Sequence, residues 1–201
     1  GLGGGGGKAA GKKGEVWAER GGGGGKVNMS LEAQGTGKVG RENLERLRTA
    51  GVEVVKYHSI LWLDPRRYNN RSHRKLLIID GKVGFIGGVG IADEWLGDGE
   101  SPQHWRDNHY KVTGLVVAQL QAVFMDNWLK TRGQLLHGPE YFPPLAPAGP
   151  YTAQAFKSSP RPGEMDIHLL YLRAIAPARH NLLIENAYFL PDDLMRKELA
   201  D

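Results

Sequence analysis

The chain has 201 residues, of which 40% are hydrophobic and 24% are charged, enough for one packed domain or for one domain and part of a second. It contains no cysteine, which excludes disulfide frameworks, cysteine–zinc sites and thiol nucleophiles. The formal net charge is +4, but residues 1–27 hold five Lys or Arg against two Glu. The remainder is therefore almost neutral, and its charge is weak evidence for a nucleic-acid partner.

The N-terminal segment, residues 1–27, is a low-complexity region with 13 of the 29 glycines. Such a segment buries too little surface to offset the entropy lost on ordering, so we expect it to be disordered or outside the fold. No apolar run approaches the roughly 20 residues that span a bilayer. No signal peptide is readable, because the glycine- and lysine-rich start has no apolar stretch.

From residue 28 onward, helical and strand patterns alternate. Leu44 and Leu47 predict a helix over Arg41–Ala50 that ends at Gly51, and Val52–Tyr57 then alternates as a strand. After a polar loop over residues 58–72, Asp80-Gly81 indicates a hairpin turn between two strands. The predicted strands of this hairpin are His73–Ile79 and Lys82–Ile86.

The apolar run Leu76–Ile79 predicts a central strand that is buried on both faces. Further elements then follow, and their alternation predicts an α/β fold with a mixed sheet flanked by helices. They are a helical stretch at Asp93–Leu96, a strand at His104–Val112, a helix at Leu115–Lys130, a Pro/Gly-rich connector at Gly133–Pro150, a strand at Tyr151–Lys157, a helix at Asp166–Ala176, a strand at Asn181–Phe189 and a last helix near the C-terminus.

The chemistry is concentrated in the hairpin. His73 and Lys75 are two residues apart on a predicted strand, so both side chains should point to one face. A neutral imidazole can attack phosphorus to give a covalent intermediate, and a neighbouring ammonium can stabilise the oxygens as charge builds. Asp80 stands at the strand end, where it could orient the lysine or simply form the turn. Gly87-Gly88 would allow the backbone to approach that face closely, although a bulge or turn is an alternative.

The spacing His73-x-Lys75-x4-Asp80-x6-Gly87-Gly88 resembles the HKD signature of the phospholipase D superfamily. The surrounding sequence, from "NNRSHRKLLIIDGKVGFIGGVGIADEW" to "HWRDNHYKVTGLVVAQLQAVFMDNW", is similar to the bacterial cardiolipin synthase-like branch. The resemblance implies two such motifs that meet across a pseudo-twofold interface, where one histidine attacks phosphorus and the other protonates the leaving oxygen. No second H-x-K-x4-D occurs in the chain. We therefore expect residues 28–150 to be a first half and residues 151–201 to be the start of a truncated second half.

On this resemblance, His73, Lys75 and Asp80 would be the catalytic residues, and His73, Lys75 and Gly88 would contact the substrate phosphate. No cofactor or metal is implied. The substrate would be a phosphatidylglycerol-like phospholipid, and the second motif would come from a missing C-terminal part or from a second copy. The setting would be the bacterial cytoplasm or the periphery of the inner membrane, with peripheral contact to lipid.

Two positions depart from the family pattern, because Gly88 and Gly90 stand where the family often has Ser and Asn. A further candidate is Asp107, which we expect to orient the His73 ring, although a salt bridge with Arg106 would explain this aspartate equally well. Two alternative functions stay open. The basic residues Arg66, Arg67, Arg71, Arg74, Lys75 and Lys82 also permit a nuclease-like phosphodiesterase, and an inactive half-site could simply bind anionic lipid or nucleic acid.

Overall fold

A computed structural model of the chain describes residues 8–32, 40–57, 73–158, 166–186 and 188–200. They form two compact units, Gly1–Ala155 and Phe156–Asp201. The helices of the first unit are α1 (Lys8–Gly22), α2 (Arg41–Thr49) and α3 (Val116–Arg132), and its strands are β1 (Asn28–Glu32), β2 (Glu53–Tyr57), β3 (Leu76–Ile79), β4 (Val83–Gly87) and β5 (His109–Thr113). The second unit contains α4 (Asp166–Ile175) and α5 (Asp193–Ala200). The predicted α/β class is confirmed.

After α1, the first unit continues with a parallel βαβ arrangement. Strands β1 and β2 pair in parallel, with Asn28 opposite Glu53, and α2 makes the connection between them. Leu44 and Leu47 are the buried residues of α2, which confirms the helical spacing seen in the sequence. Gly51 has a φ of 83° just after the helix, a conformation that glycine adopts without steric cost. Strand β1 was not predicted, because five residues of mixed polarity carry little signal alone.

A second sheet consists of β3, β4 and β5, paired antiparallel in that order. The prediction of a central strand buried on both faces is wrong, because β3 lies at the edge of this sheet. Leu77 and Ile79 are each 44% exposed on the face away from α3. A continuous apolar run shows that residues avoid water, but it does not show which elements cover them.

Helix α3 covers both sheets and supplies the main core. It packs against β2 and against all three strands of the β3–β4–β5 sheet. Trp128 is completely buried, stacks on Phe124 with ring centroids 5.8 Å apart, and joins Val55, Met125 and Leu136 in one apolar cluster. On the sheet side, a Cβ at Gly84 would lie 3.0 Å from the Leu120 side chain, so the absence of one lets α3 approach closely. The predicted helix at Leu115–Lys130 is confirmed.

The prediction of disorder for residues 1–27 is wrong for Lys8–Gly22, which form α1. The glycines lie mainly on either side of this stretch, and its alanine, lysine, glutamate and arginine residues favour helix. Helix α1 packs against α2, and Gly21 lies so close to the Ala50 carbonyl that a side chain would not fit. Tertiary contact therefore stabilises a helix that composition alone argued against.

The first unit ends at Ala155, whose N–H donates to Gln119 Oε1 at 2.8 Å. The division into two half-site segments at residues 150 and 151 stays a prediction. The helix predicted at Asp166–Ala176 is confirmed as α4, and the last helix as α5. The strand predicted at Tyr151–Lys157 is wrong, and so is the described part of the one predicted at Asn181–Phe189. In the described residues, neither segment has a neighbouring strand with which to pair.

Candidate active site

His73 and Lys75 contact each other directly at the entrance to β3. The Lys75 ammonium nitrogen Nζ lies 3.2 Å from His73 Nδ1 and 3.5 Å from Nε2. Because an ammonium only donates, this contact is a hydrogen bond only when that imidazole nitrogen is unprotonated, and the lysine must release the lone pair before the same nitrogen can attack phosphorus. The structure thus brings the two predicted phosphate-handling groups together, at an exposed histidine.

The local backbone differs from the prediction. The strand begins at Leu76 rather than at His73, and His73 has a φ of 46°, in the left-handed region that side chains other than glycine rarely adopt. Such a conformation persists only where surrounding contacts hold it. The two side chains therefore meet through a turn, and not through the alternation of a strand.

Arg74 supplies one of those contacts. Its guanidinium Nη1 donates to Asn127 Oδ1 on α3 at 3.0 Å, and Asn127 is buried. The backbone carbonyl of Asn127 in turn accepts the Thr131 hydroxyl at 2.7 Å. The residue between His73 and Lys75 is thus tied to the core helix, which leaves the histidine and the lysine outside.

Asp80 lies at the other end of β3. Together with Gly81 it forms the hairpin turn, closed by a hydrogen bond from the Lys82 N–H to the Ile79 carbonyl at 3.0 Å. Both turn residues have positive φ, 53° for Asp80 and 63° for Gly81, as type I′ turns require. Asp80 follows Lys75 by five positions, with the four residues of β3 between them, which in extended chain is roughly 16 Å. The structure therefore does not bring Asp80 to the histidine–lysine pair.

Gly87 and Gly88 lie at the same end of the sheet as the histidine–lysine pair. A Cβ at Gly88 would overlap the Asp107 carboxylate, with Oδ1 at 2.7 Å and Oδ2 closer still. Asp107 Oδ1 also accepts the Asn108 N–H at 2.7 Å. The carboxylate thus occupies the space that a serine would need at this position. Whether it also orients His73 stays a prediction.

Gly90, the other departure from the family pattern, has a similar explanation. A Cβ there would lie 2.8 Å from Trp95 Nε1, and Trp95 packs edge-on against Trp105 with ring centroids 5.5 Å apart. A larger residue at Gly90 would displace the indole ring. The sequence could show that the expected polar side chains were missing at these two glycines, but not what stood in their place.

Sequence reasoning missed one pair of residues near the site. His109-Tyr110-Lys111 is a second H-x-K, but Val116 stands where the motif would have its aspartate. His109 lies opposite Gly87 in the β4–β5 ladder, and a Cβ on Gly87 would lie 2.8 Å from His109 Nδ1. The H-x-K spacing that His109 and Lys111 share with His73 and Lys75 is the sequence signal that could have identified this pair.

Other features predicted from the sequence concern a basic loop, a metal site and a membrane span. Of the basic residues, Arg66, Arg67 and Arg71 lie outside the described residues, as does the predicted loop 58–72. Across the described ranges, no group of three or more His, Asp or Glu side chains could hold a metal ion. No described helix is both long and apolar enough to cross a membrane.

Curated proteins similar to this chain are bacterial cardiolipin synthases. The cardiolipin synthase of Geobacillus thermodenitrificans is 35% identical over 170 residues, which are 83% of this chain and 34% of that protein. Cardiolipin synthase 2 of Bacillus cereus is 34% identical over 170 residues, which are 83% of this chain and 33% of that protein. Cardiolipin synthase 2 of Staphylococcus epidermidis is 33% identical over 169 residues, which are 83% of this chain and 35% of that protein.

The chain thus spans about a third of the length of the curated relatives it matches. No protein-family model matches the chain, and no solved structure matches it. The similarity therefore rests on sequence comparison with whole proteins, and it extends over most of this chain.

Proposed function

Because the chain belongs to the cardiolipin synthase-like branch of the phospholipase D superfamily, we propose that it supplies one half of a phosphatidyltransferase active site in which His73 is the nucleophile. The observation that carries the proposal is the direct contact between Lys75 Nζ and His73 Nδ1 at 3.2 Å. The contact supports the proposal because a ring nitrogen and a positive charge lie close enough for one phosphodiester to contact both.

In the proposed reaction, a His73 ring nitrogen forms a bond to phosphorus of a phosphatidylglycerol-like lipid. The bond from phosphorus to the glycerol oxygen breaks, and that oxygen takes a proton from a general acid. Lys75 stabilises the charge on the non-bridging oxygens, which is the form of electrostatic assistance that accelerates such transfers most. An alcohol or water then attacks the phosphohistidine and gives its proton to the group that acted as the general acid. A new phosphorus–oxygen bond forms, and the phosphorus–nitrogen bond breaks to release the His73 ring.

The general acid would be the histidine of a second H-x-K-x4-D motif, and this sequence contains only the one that begins at His73. We propose that a second motif comes from another segment of a longer protein or from a second copy docked by twofold symmetry. The chain at low concentration should then show little turnover. Robust turnover by a monomer would contradict this half-site proposal.

Asp80 and Asp107 receive different roles in this proposal. Asp80 has a structural role: it adopts the left-handed backbone of the hairpin turn, at the end of β3 opposite Lys75. Asp107 lies at the end of the sheet that carries His73 and orients the ring. Gly88 leaves room for that carboxylate and exposes its backbone toward the substrate phosphate.

The experiment is to trap the intermediate on the full chain. The protein is incubated with short-chain phosphatidylglycerol at high concentration, at which a second copy can supply the general acid. It is quenched in alkali, in which the phosphorus–nitrogen bond of phosphohistidine survives and the acyl esters hydrolyse, and mass spectrometry then looks for the remaining glycerophosphoryl adduct on His73. His73→Asn should give no adduct, and Lys75→Met should form it about 100-fold more slowly, the usual effect of losing one stabilising donor. His104→Asn is the matched control, because His104 contacts Ser101 and Glu100 in a separate loop.

The same experiment separates the alternatives. A His73-dependent cleavage of a DNA oligonucleotide, without any lipid adduct, would replace the transferase with a nuclease. Equal lipid binding by wild type and His73→Asn, with no adduct in either, would leave a binding module. An adduct in His73→Asn would exclude this histidine as the nucleophile.

A further inference from the structure

Two side chains of the second unit form a close ion pair between its helices. His168 lies in the first turn of α4, and its Nε2 is 2.6 Å from Oδ2 of Asp192, the residue that precedes α5. The His168 side chain is only 20% exposed, and both of its ring nitrogens are buried. Since α4 and α5 pack against each other, the pair ties the start of α5 to α4.

The carboxylate of Asp192 contacts both helices at once. Its Oδ1 accepts the Met195 N–H at 2.9 Å, which caps the first turn of α5, while Oδ2 faces His168. Such a cap satisfies a backbone N–H that has no partner inside the helix. Both contacts lower the pKa of Asp192, chiefly the Met195 N–H and further the charge of His168, so the carboxylate is ionised at neutral pH. A charge that holds this carboxylate in place therefore also stabilises the first turn of α5.

The attraction between the two side chains depends on the charge of the imidazole. Among the described residues, neither ring nitrogen has a hydrogen-bond partner of suitable geometry, so the contact with Asp192 is an ion pair rather than an aligned hydrogen bond. A neutral ring gains little from such a contact, whereas a protonated ring gains the full attraction. Histidine is the side chain whose charge ordinarily changes between about pH 5 and 8.

The other charged groups of the two helices lie away from this pair. On α4 they stand two residues before and five residues after His168, so they project from other sides of the helix. On α5 two of them pair with each other, and the others are more than one turn beyond Asp192. They are Asp166, Arg173, Asp193, Arg196, Lys197 and Glu198. The N-terminal end of α4 itself disfavours a cation at His168, so stabilisation of the protonated ring has to come from Asp192.

We propose that His168 and Asp192 form a pH-sensitive latch, in which the protonated imidazole holds the Asp192 carboxylate over the N-terminus of α5 and loss of the proton loosens that end of the helix. The sign follows from the charges. The ion pair is complete below the titration of the imidazole, and its contribution is lost as the pH rises through that titration. The latch concerns the second unit and does not depend on the proposed function.

The test is amide hydrogen exchange of the full chain, measured by NMR at about pH 5 and about pH 8, the limits of the histidine range. The protection factor of the Met195 amide should be about two- to fivefold higher at the lower pH, the effect expected of a partly exposed ion pair. Asp192→Asn should keep the protection and remove its pH dependence, because asparagine caps a helix as well as aspartate does and carries no charge. His168→Gln should also remove the pH dependence.

His180→Gln is the matched control. It removes an exposed histidine from the segment between α4 and α5, and it should keep the pH dependence of the wild type. Equal protection factors at both pH values in the wild type would overturn the latch. A pH dependence that persists in Asp192→Asn would overturn it as well.

A second measurement tests the ion pair without relying on the stability of α5. The titration of the Asp192 carboxyl group is followed by ¹³C NMR in the wild type and in His168→Gln. Because the charge of His168 contributes to the lowered pKa of Asp192, the midpoint should be higher in the variant. An unchanged midpoint would show that the two side chains do not interact, and it would refute the latch.

Discussion

The two adjacent glycines at the end of β4 should respond very differently to the same substitution. A Cβ on Gly87 would lie 2.6 Å from His109 Cα and closer still to the Asn108 carbonyl oxygen, both of which are backbone atoms of the neighbouring strand segment. A Cβ on Gly88 would instead meet the Asp107 carboxylate, which is the exposed end of a side chain and can rotate away. Gly87→Ala should therefore unfold more easily than Gly88→Ala.

The loss of stability in each variant depends on which atoms the new Cβ must displace. Forcing the backbone of β5 aside costs about 1–3 kcal/mol. Displacing the Asp107 carboxylate sacrifices its hydrogen bond from the Asn108 N–H, which contributes about 1 kcal/mol at most at an exposed site. For a slope of about 2 kcal/mol per molar urea, a loss of 2 kcal/mol lowers the unfolding midpoint by about 1 M. Gly88→Ala should lower it by less than half of that.

Urea titration followed by tryptophan fluorescence is the suitable assay, because the described tryptophans all lie within the first unit. Adduct formation on His73 provides the second readout. Gly88→Ala should fold well but form the adduct about 10–100-fold more slowly, as expected when a positioning group is displaced by about 1 Å. Equal midpoints for the two variants would refute the packing argument. A normal adduct rate in Gly88→Ala would refute the orienting role of Asp107.

Four further predictions concern other residues. Trp128→Ala should lower the free energy of unfolding by about 3–5 kcal/mol, since this side chain is completely buried, and Trp128→Phe should cost clearly less in the same urea titration. Asp80→Gly should keep both stability and the wild-type rate of adduct formation, because glycine tolerates the positive φ, whereas a lost adduct would give Asp80 a catalytic role. Asn127→Leu should slow adduct formation while Asn127→Asp restores it by again accepting the arginine, and an unchanged rate in Asn127→Leu would show that this anchor is dispensable. The pKa of Asp192 is lowered below its usual 3.8, chiefly because its carboxylate accepts the Met195 N–H. This cap therefore stabilises α5 above pH 3.8, and its contribution is lost as the pH falls through the lower folded pKa. The protection factor of the Met195 amide should be high at neutral pH in wild type and low in Asp192→Ala, and equal protection factors at acidic and neutral pH in wild type would show that the cap does not matter.

Much of the architecture was readable from local patterns. The Asp80-Gly81 dipeptide predicted the hairpin, and the apolar spacing in the longest helix predicted α3, because turn chemistry and helical periodicity depend on residues a few positions apart. The H-x-K spacing predicted that His73 and Lys75 would share one face of a strand. They do lie together, with 3.2 Å between Lys75 Nζ and His73 Nδ1, but a left-handed turn at His73 brings them there rather than a strand.

Contacts between distant segments required the tertiary structure. Whether β3 is central or at an edge depends on which strands pair with it, and no local pattern encodes that choice. The carboxylate of Asp107 over Gly88 and the ring of His109 over Gly87 join residues about 20 positions apart, brought together by the β4–β5 register. Sequence by itself therefore determined which chemical groups are present and which short elements form. Only the packing of those elements decided which groups share a surface, because nonlocal pairing and close approach depend on the whole fold.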